Sequence, residues 1–277
     1  MVVSEVCKQM WDIMSPNPNC DVRFETDLLV ESVLGKKRID AMGDEISPGD
    51  ADKLLKAAQR RRDGYPLQYI LGRWYFFDME LLVGEGVLIP RQDTETVCEA
   101  AFEVINNVAE PAVLDLCSGS GCIALAIKKY CPHSNVVAIE KSPQAFEYLK
   151  RNIEHTSLKI LPVNADIFKF DENVDEDSFD VIISNPPYIN PSVKPDLQTE
   201  VSHEPDMALF AADNGLRFYR FIAHYYKKAL REKGFLVFEY GYDQQAEVKN
   251  ILIKEGYTIV KEIVDLGGKA RGVVAQK

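Results

Sequence analysis

From about residue 93 onward, short apolar runs of strand length alternate with stretches of helical periodicity, and this alternation restricts the fold more than any other feature of the chain. "AVLDLC" precedes a glycine turn and the helical "CIALAIKKY", and "NVVAIE" precedes "SPQAFEYLKRNIEH". "LKILPVNAD" and "FDVIIS" follow, then a helix "LRFYRFIAHYYKKALREK", a strand "GFLVFEYG", a helix "DQQAEVKNILIKEG" and the strands "YTIVKEIVD" and "RGVVAQK". Repeated strand, helix, strand units predict an α/β domain over 93–277, an open, mostly parallel twisted sheet with helices on both faces. Ligands in such sheets bind outside the carboxyl ends of the strands. The residues that end each apolar run are therefore where chemistry is to be sought.

Two smaller regions precede this domain. Residues 1–64 alternate apolar and charged positions at helical spacing, as in "DLLVESVLG" and "DADKLLKAAQRRR", with "SPNPN" and "ISPGD" as breaks, and predict a small helical domain. Asp50 stands where an N-cap is expected, and the run Arg60, Arg61, Arg62 falls in a last turn and reads as a solvated helix end. Residues 65–92, "YPLQYILGRWYFFDMELLVGEGVLIPRQ", are rich in aromatic and β-branched residues and predict a β-hairpin linker.

The balance of 32 basic against 43 acidic residues, a formal charge of -11, opposes attachment to phosphate backbones and anionic membrane. "MVVSEVCKQMWDIM" lacks the apolar core of a signal peptide, and no run approaches the roughly 20 apolar residues of a membrane span, so a cytoplasmic protein is expected. Six scattered cysteines contain no C-x-x-C and are too few for a disulfide scaffold at this length. Cys117 and Cys122 flank a glycine loop without histidines at zinc-site spacing, and no metal centre is expected.

The first strand of the α/β domain ends in "DLCSGSG", Asp115 to Gly121, where glycines permit a tight turn and close approach of backbone to a ligand at a helix N-terminus. The G-x-G-x-x-G fingerprint is not met, and a tight turn without a ligand would read the same way. Glu140 ends the second strand about 20 residues later, where an acid can accept from both hydroxyls of a ribose. "NADIF" places Asp166 and Phe168 at the third strand end, suited to an adenine amino group and to stacking on its ring. A structural carboxylate explains any one of these; the ordered set favours a nucleoside cofactor. The fourth strand ends in "SNPPYI", in which Pro186 and Pro187 forbid continuation of a helix or central strand.

"VLDLCSGSG", "AIE", "NAD" and "SNPPY", in this order, resemble a class I S-adenosylmethionine-dependent methyltransferase whose fourth strand carries a (D/N/S)-P-P-(Y/F) motif. "YPLQYILG" and "VLIPRQDTE" upstream and "EPDMALFAADNGLRFYR" downstream resemble the peptide chain release factor glutamine methyltransferases, also called HemK or PrmC, over nearly the whole chain from Gly64. The resemblance implies a Rossmann-like, seven-stranded sheet. It also implies S-adenosyl-L-methionine as cofactor, and as substrate the glutamine of the Gly-Gly-Gln motif of class I release factors, methylated at the side-chain nitrogen. Cofactor contacts are implied at Asp115, Cys117, Ser118, Gly119, Ser120, Gly121, Glu140, Asp166, Phe168 and Asn185. Substrate contacts are implied at Asn185, Pro186, Pro187, Tyr188, Glu204 and Pro205. Arg91, Thr94 and Glu95 of "PRQDTE" are placed to close over the methionine end of the cofactor, with the alternative that Thr94 and Glu95 simply begin a helix. Gln92, Glu140 and Phe168 depart from the family's commoner proline, aspartate and tryptophan.

A carboxamide nitrogen is a poor nucleophile, so the expected task is geometric: the Asn185 side-chain oxygen and the Pro186 carbonyl each accept one amide hydrogen, while Tyr188 walls the flat group. Adjacent His203 is expected to be a solvent-facing hydrogen-bonder. The protein is expected to act as a monomer, without stable nucleic-acid or membrane partners. An N6-adenine DNA methyltransferase, a non-catalytic nucleoside-binding module and a dinucleotide oxidoreductase are the competing readings.

Overall fold

The computed structural model describes all 277 residues, in two compact units: Met1–Arg73 with Leu197–His203, and Trp74–Asp196 with Glu204–Lys277. In the first unit, helix Val3–Met14 buries Val3, Val6, Cys7, Met10 and Met14, the one-face spacing of an amphipathic helix. It packs with helices Val22–Leu34 and Pro48–Arg62, which supply Leu29, Val30, Leu54 and Ala58 to the same interior. Asp21 caps the second helix by accepting from the Phe24 amide, and Gly35 closes it at φ 69°.

Two expectations for this unit are corrected. The N-cap of helix Pro48–Arg62 is Ser47, not Asp50: Ser47 Oγ accepts from the Asp50 amide at 3.0 Å, and Pro48, which has no N–H to satisfy, takes the first helical position. The arginine run is not a uniformly solvated end. Arg61 is 3 % exposed and grips Glu25 with two bonds, Nε to Oε2 at 2.5 Å and Nη2 to Oε1 at 3.0 Å. Its Nη1 donates to the Tyr65 carbonyl, and Glu200 of the segment Leu197–His203 lies 3.6 Å away. Three successive helical residues point in three directions, so Arg60 instead covers the Tyr65 ring and exposed Arg62 pairs with Asp63.

The expected hairpin also begins later than its composition suggests. Pro66 and Gly72, the latter at φ 71°, enclose one helical turn, Leu67–Leu71. The two-stranded sheet comprises only β1 (Arg73–Phe76) and β2 (Met79–Leu82).

The second unit is the expected α/β sheet. Its strands are β3 (Ala112–Leu116), β4 (Asn135–Glu140), β5 (Leu161–Asn164), β6 (Phe179–Ser184), β7 (Leu230–Glu239), β8 (Thr258–Val264) and β9 (Ala270–Gln276), in the order β5-β4-β3-β6-β7-β9-β8. β3 to β7 are parallel, and β9 runs antiparallel to both β7 and β8. One sequence boundary moves. The helix expected over 216–233 ends at Tyr225, and "LREK" begins β7, because fully buried Leu230 pairs with Phe179 and sheet pairing outweighs the helical propensity of lysine and arginine.

Period-two alternation divides the strand residues between two cores. Val113, Val181, Ile183, Val237 and Val274 face the helices Gln92–Ile105 and Cys122–Tyr130. Leu114, Leu116, Ile182, Leu236 and Phe238 face the helices Arg217–Tyr225 and Gln245–Lys254. The alternation also places Asp115, Asn185 and Glu239 on the first of these faces, at the carboxyl edge of three neighbouring strands. No helix is long and apolar enough to cross a membrane.

Candidate active site

A cleft lies at the carboxyl ends of β3 to β6, where ligands of open α/β sheets bind. Its floor is the loop after β3. Cys117, Gly119 and Gly121 all have positive φ, at 64°, 54° and 83°. A Cβ on Gly121 would stand 2.4 Å from Leu149 Cδ1, so a side chain there would have to displace Leu149, whereas a Cβ on Gly119 would meet nothing within 4 Å. The space over Gly119 is open to a ligand, and this is the cradle expected of a backbone that a cofactor must approach.

Glu140 braces this loop. Its Oε2 accepts from the Gly119 amide at 2.8 Å and its Oε1 from the Ser142 amide at 2.6 Å. Burial raises its pKa against the lowering effect of these donors. Each oxygen retains a lone pair for a hydroxyl donor, and the residue lines the cleft. Beside it, Asp166 caps the helix Ile167–Phe170 through the Phe168 amide, and its Oδ2 pairs with Lys141 at 3.0 Å. Burial is opposed there by the Lys141 bond and the Phe168 amide, which hold the carboxyl below its ordinary value. The Phe168 ring is fixed by Phe218 and Phe221, with centroids 4.9 and 4.6 Å away, and by the Arg217 guanidinium at 4.4 Å.

The opposite wall carries the chain reversal after β6. Asn185 lines the cleft, and its Nδ2 donates to Thr94 Oγ1 at 3.4 Å. Cys117, Ser118, Ser120, Pro187 and Pro205 also line it. Asp115, Gly121, Pro186, Tyr188 and Glu204 stand outside its lining. Tyr188 packs on the core below, and its carbonyl accepts from Gln244 Nε2. Glu204, though buried, is a strut: it accepts from the Ile89 amide and pairs with Arg91. Of the three residues expected over the methionine end, Arg91 and Thr94 line the cleft, whereas Glu95 turns away to accept from the Phe77 amide at 2.6 Å. His203 belongs to the helical unit, exposed beside Tyr65.

Asp115 is fully buried with no hydrogen bond of ordinary geometry to either oxygen, and burial pushes its carboxyl up to about 8 against the lowering pull of the nearby Ser118 side chain and Ala124 amide. The fitted set is therefore a backbone cradle, two braced acids and a fixed aromatic face, which matches a nucleoside with a charged tail.

Comparison with known proteins gives the same reading. Residues 95–210 match the family described as "Methyltransferase small domain", and residues 20–72 match "PrmC N-terminal domain". The "Release factor glutamine methyltransferase" of Thermodesulfovibrio yellowstonii is 36 % identical over 239 residues, 84 % of this chain and 84 % of that protein. The chain belongs to the release factor glutamine methyltransferase family. The Fusobacterium nucleatum member is also 36 % identical, over 95 % of this chain and 74 % of its own length. In fold, the chain resembles a methyltransferase from Pyrococcus furiosus, with a TM-score of 0.51 at 21 % identity, covering 73 % of this chain and 90 % of the other. This is an S-adenosyl-L-methionine-dependent methyltransferase family, and the chain is an enzyme of that class.

Two residues that line this site, and one acid at the neighbouring strand end, escaped the sequence reading. Lys141 and Phe218 have no motif to mark them. Glu239 had one: it is an acid at the carboxyl end of a parallel strand, the same signal that singled out Glu140.

Proposed function

We propose that this enzyme methylates the side-chain nitrogen of the glutamine in the Gly-Gly-Gln motif of class I release factors. The observation that carries it is Asn185, held at the end of β6 in the wall of the cleft across from Gly119, Glu140 and Phe168, in a chain of this family. S-adenosyl-L-methionine, when bound, supplies a methyl group on a sulfonium that leaves as a neutral thioether.

The chain's own residues do the rest. Gly119 and Ser118 present backbone to the cofactor's polar tail, Glu140 accepts from its ribose, and Asp166 and Phe168 take its adenine. Asn185 Oδ1 and the Pro186 carbonyl each accept one hydrogen of the glutamine amide, turning the nitrogen lone pair towards the methyl group. Positioning of this kind lowers a barrier by up to about 7 to 11 kcal/mol. The same two acceptors stabilise the positive charge that grows on nitrogen, which then loses one proton to water. Pro187 keeps the turn rigid, Tyr188 buttresses it from the core, and Pro205 closes the glutamine's side of the cleft. Glu204 acts by holding Arg91 and Ile89 in place.

The helical unit, residues 1–64 in this reading, grips the substrate protein away from its glutamine, and residues 65–92 link it to the catalytic domain. The enzyme works as a cytoplasmic monomer, with no nucleic-acid or membrane partner. Mass spectrometry of a purified class I release factor, before and after incubation with the protein and S-adenosyl-L-methionine, is expected to show one added methyl group on the Gly-Gly-Gln peptide. Methyl label entering duplex DNA and not the release factor would overturn this reading.

A further inference from the structure

Behind Asn185 stands a group with no assigned part in the reaction. Glu239 ends β7 and is 3 % exposed, its Oε2 without a hydrogen-bond partner. Ser184 pairs with Phe238, so one residue further on Asn185 and Glu239 are neighbours across the sheet, on the face covered by helix Gln92–Ile105. Buried Thr94 of that helix sits with both. It accepts from Asn185 Nδ2, and its hydroxyl is near enough to the Glu239 carboxyl to lower that group's pKa.

We propose that Glu239 is a positioning residue: acting through Thr94, it sets which way round the Asn185 amide faces, so that Oδ1 and not Nδ2 meets the substrate nitrogen. This rests on the methyl-transfer reading above. The physical basis is direction. An ionised carboxylate only accepts hydrogen bonds, so the Thr94 proton points to Glu239 and the Thr94 lone pairs face Asn185, which must answer with its NH₂. The two ends of a carboxamide differ in little but their hydrogen bonding, so without such a lock the flipped amide is equally at home. Flipped, it would set NH₂ against the NH₂ of glutamine, and one of the two acceptors would be lost.

A protonated Glu239 reverses the relay, because it donates to Thr94 and frees the Thr94 proton for Asn185 Oδ1. Burial raises this carboxyl to about 7, with the Thr94 bond opposing. Asp93 also faces it and raises it further, while Arg271 and Arg91 lower it. Tyr188, Tyr219, Cys98 and Cys122 lie within its field, all pushed upward by burial and neutral near pH 7. Glu239 is thus the group among them that changes charge there, and activity is lost as pH falls through its pKa.

The test measures kcat and KM of the full-length enzyme against pH with a purified release factor, alongside calorimetric binding of S-adenosylhomocysteine. Wild type is expected to show an acid limb near 7. Glu239→Gln and Thr94→Val are each expected to lower kcat about 10- to 100-fold and to flatten that limb, and Glu239→Gln, which lies outside the cleft lining, to keep KM and S-adenosylhomocysteine affinity near wild type. Thr94→Ser, which keeps the hydroxyl, is expected to restore both rate and pH profile. An unchanged acid limb and rate in Glu239→Gln would overturn the proposal while leaving the methyl-transfer reading intact. Loss of S-adenosylhomocysteine binding in step with kcat in that variant would overturn it too, showing a structural role. No transfer by wild type at any pH would instead overturn the parent reading.

Discussion

The two units differ in how they treat their most deeply buried charges. In the helical unit, Arg61 and Glu25 are both buried, and each answers the other with two hydrogen bonds; the arginine's remaining nitrogen goes to the Tyr65 carbonyl. In the α/β unit, Asp115 and Glu239 are equally buried, yet they leave three carboxylate oxygens with no partner among them. A desolvated charge costs several kcal/mol unless it is paired, so the first arrangement is self-contained and the second is an uncompensated cost. Both uncompensated acids sit at the carboxyl edge of the sheet, beside the cleft, and none of the comparable cost falls at the opposite edge. A carboxyl held with a raised pKa beside a site can change protonation near neutral pH and so drive a relay.

The largest expected effect follows from breaking the self-contained pair. Arg61→Ala strands a buried Glu25 and is expected to destabilise the helical unit by about 3 to 5 kcal/mol, whereas the double change Arg61→Met, Glu25→Leu is expected to be near neutral. Chemical denaturation of the three proteins measures it. Equal losses in the single and double variants would show that packing, not charge, holds this corner, and the contrast with the α/β unit would collapse.

Next in size is the clamp itself. Asn185→Ala is expected to lower kcat for release factor methylation about 10²- to 10³-fold, the usual cost of one preorganised hydrogen-bonding group at a site of developing charge. Binding of S-adenosylhomocysteine, which rests on the loop after β3, should persist. If the rate survives, the acceptor must lie elsewhere on the turn.

These contrasts explain what the sequence could and could not convey. The sheet, its order of ligand-bearing strand ends and the cleft residues Gly119, Glu140, Asp166, Phe168 and Asn185 were legible, because period-two runs and glycine turns are local signals. Arg61 was not. Its partner Glu25 lies a helix away, and nothing in "RRR" distinguishes the middle residue until the helix phase is known. The start of β7 failed for a related reason: "LREK" is locally helical, and only the distant Phe179 makes Leu230 a strand residue. Glu95 likewise looked like a cleft residue beside Thr94, but one further step of about 100° around the helix sends it to the Phe77 amide instead. Charge pairing and strand register are tertiary facts, and they decide the residues on which the two units differ.

The pH dependence of stability is the most direct measure of an uncompensated acid. Asp115 has its carboxyl raised by burial from 3.8 to about 8, so between those values the folded chain holds a proton that the unfolded chain has released. Unfolding then gives up a proton, and stability must fall as pH rises, with a limiting slope of about 1.4 kcal/mol per pH unit, until it levels above about 8. Asn at this position is neutral throughout. Asp115→Asn is therefore expected to match wild type in melting temperature near pH 4 and to exceed it increasingly towards pH 8. A gap in melting temperature that does not change with pH would mean that Asp115 is paired in solution, and that the two units handle buried charge alike.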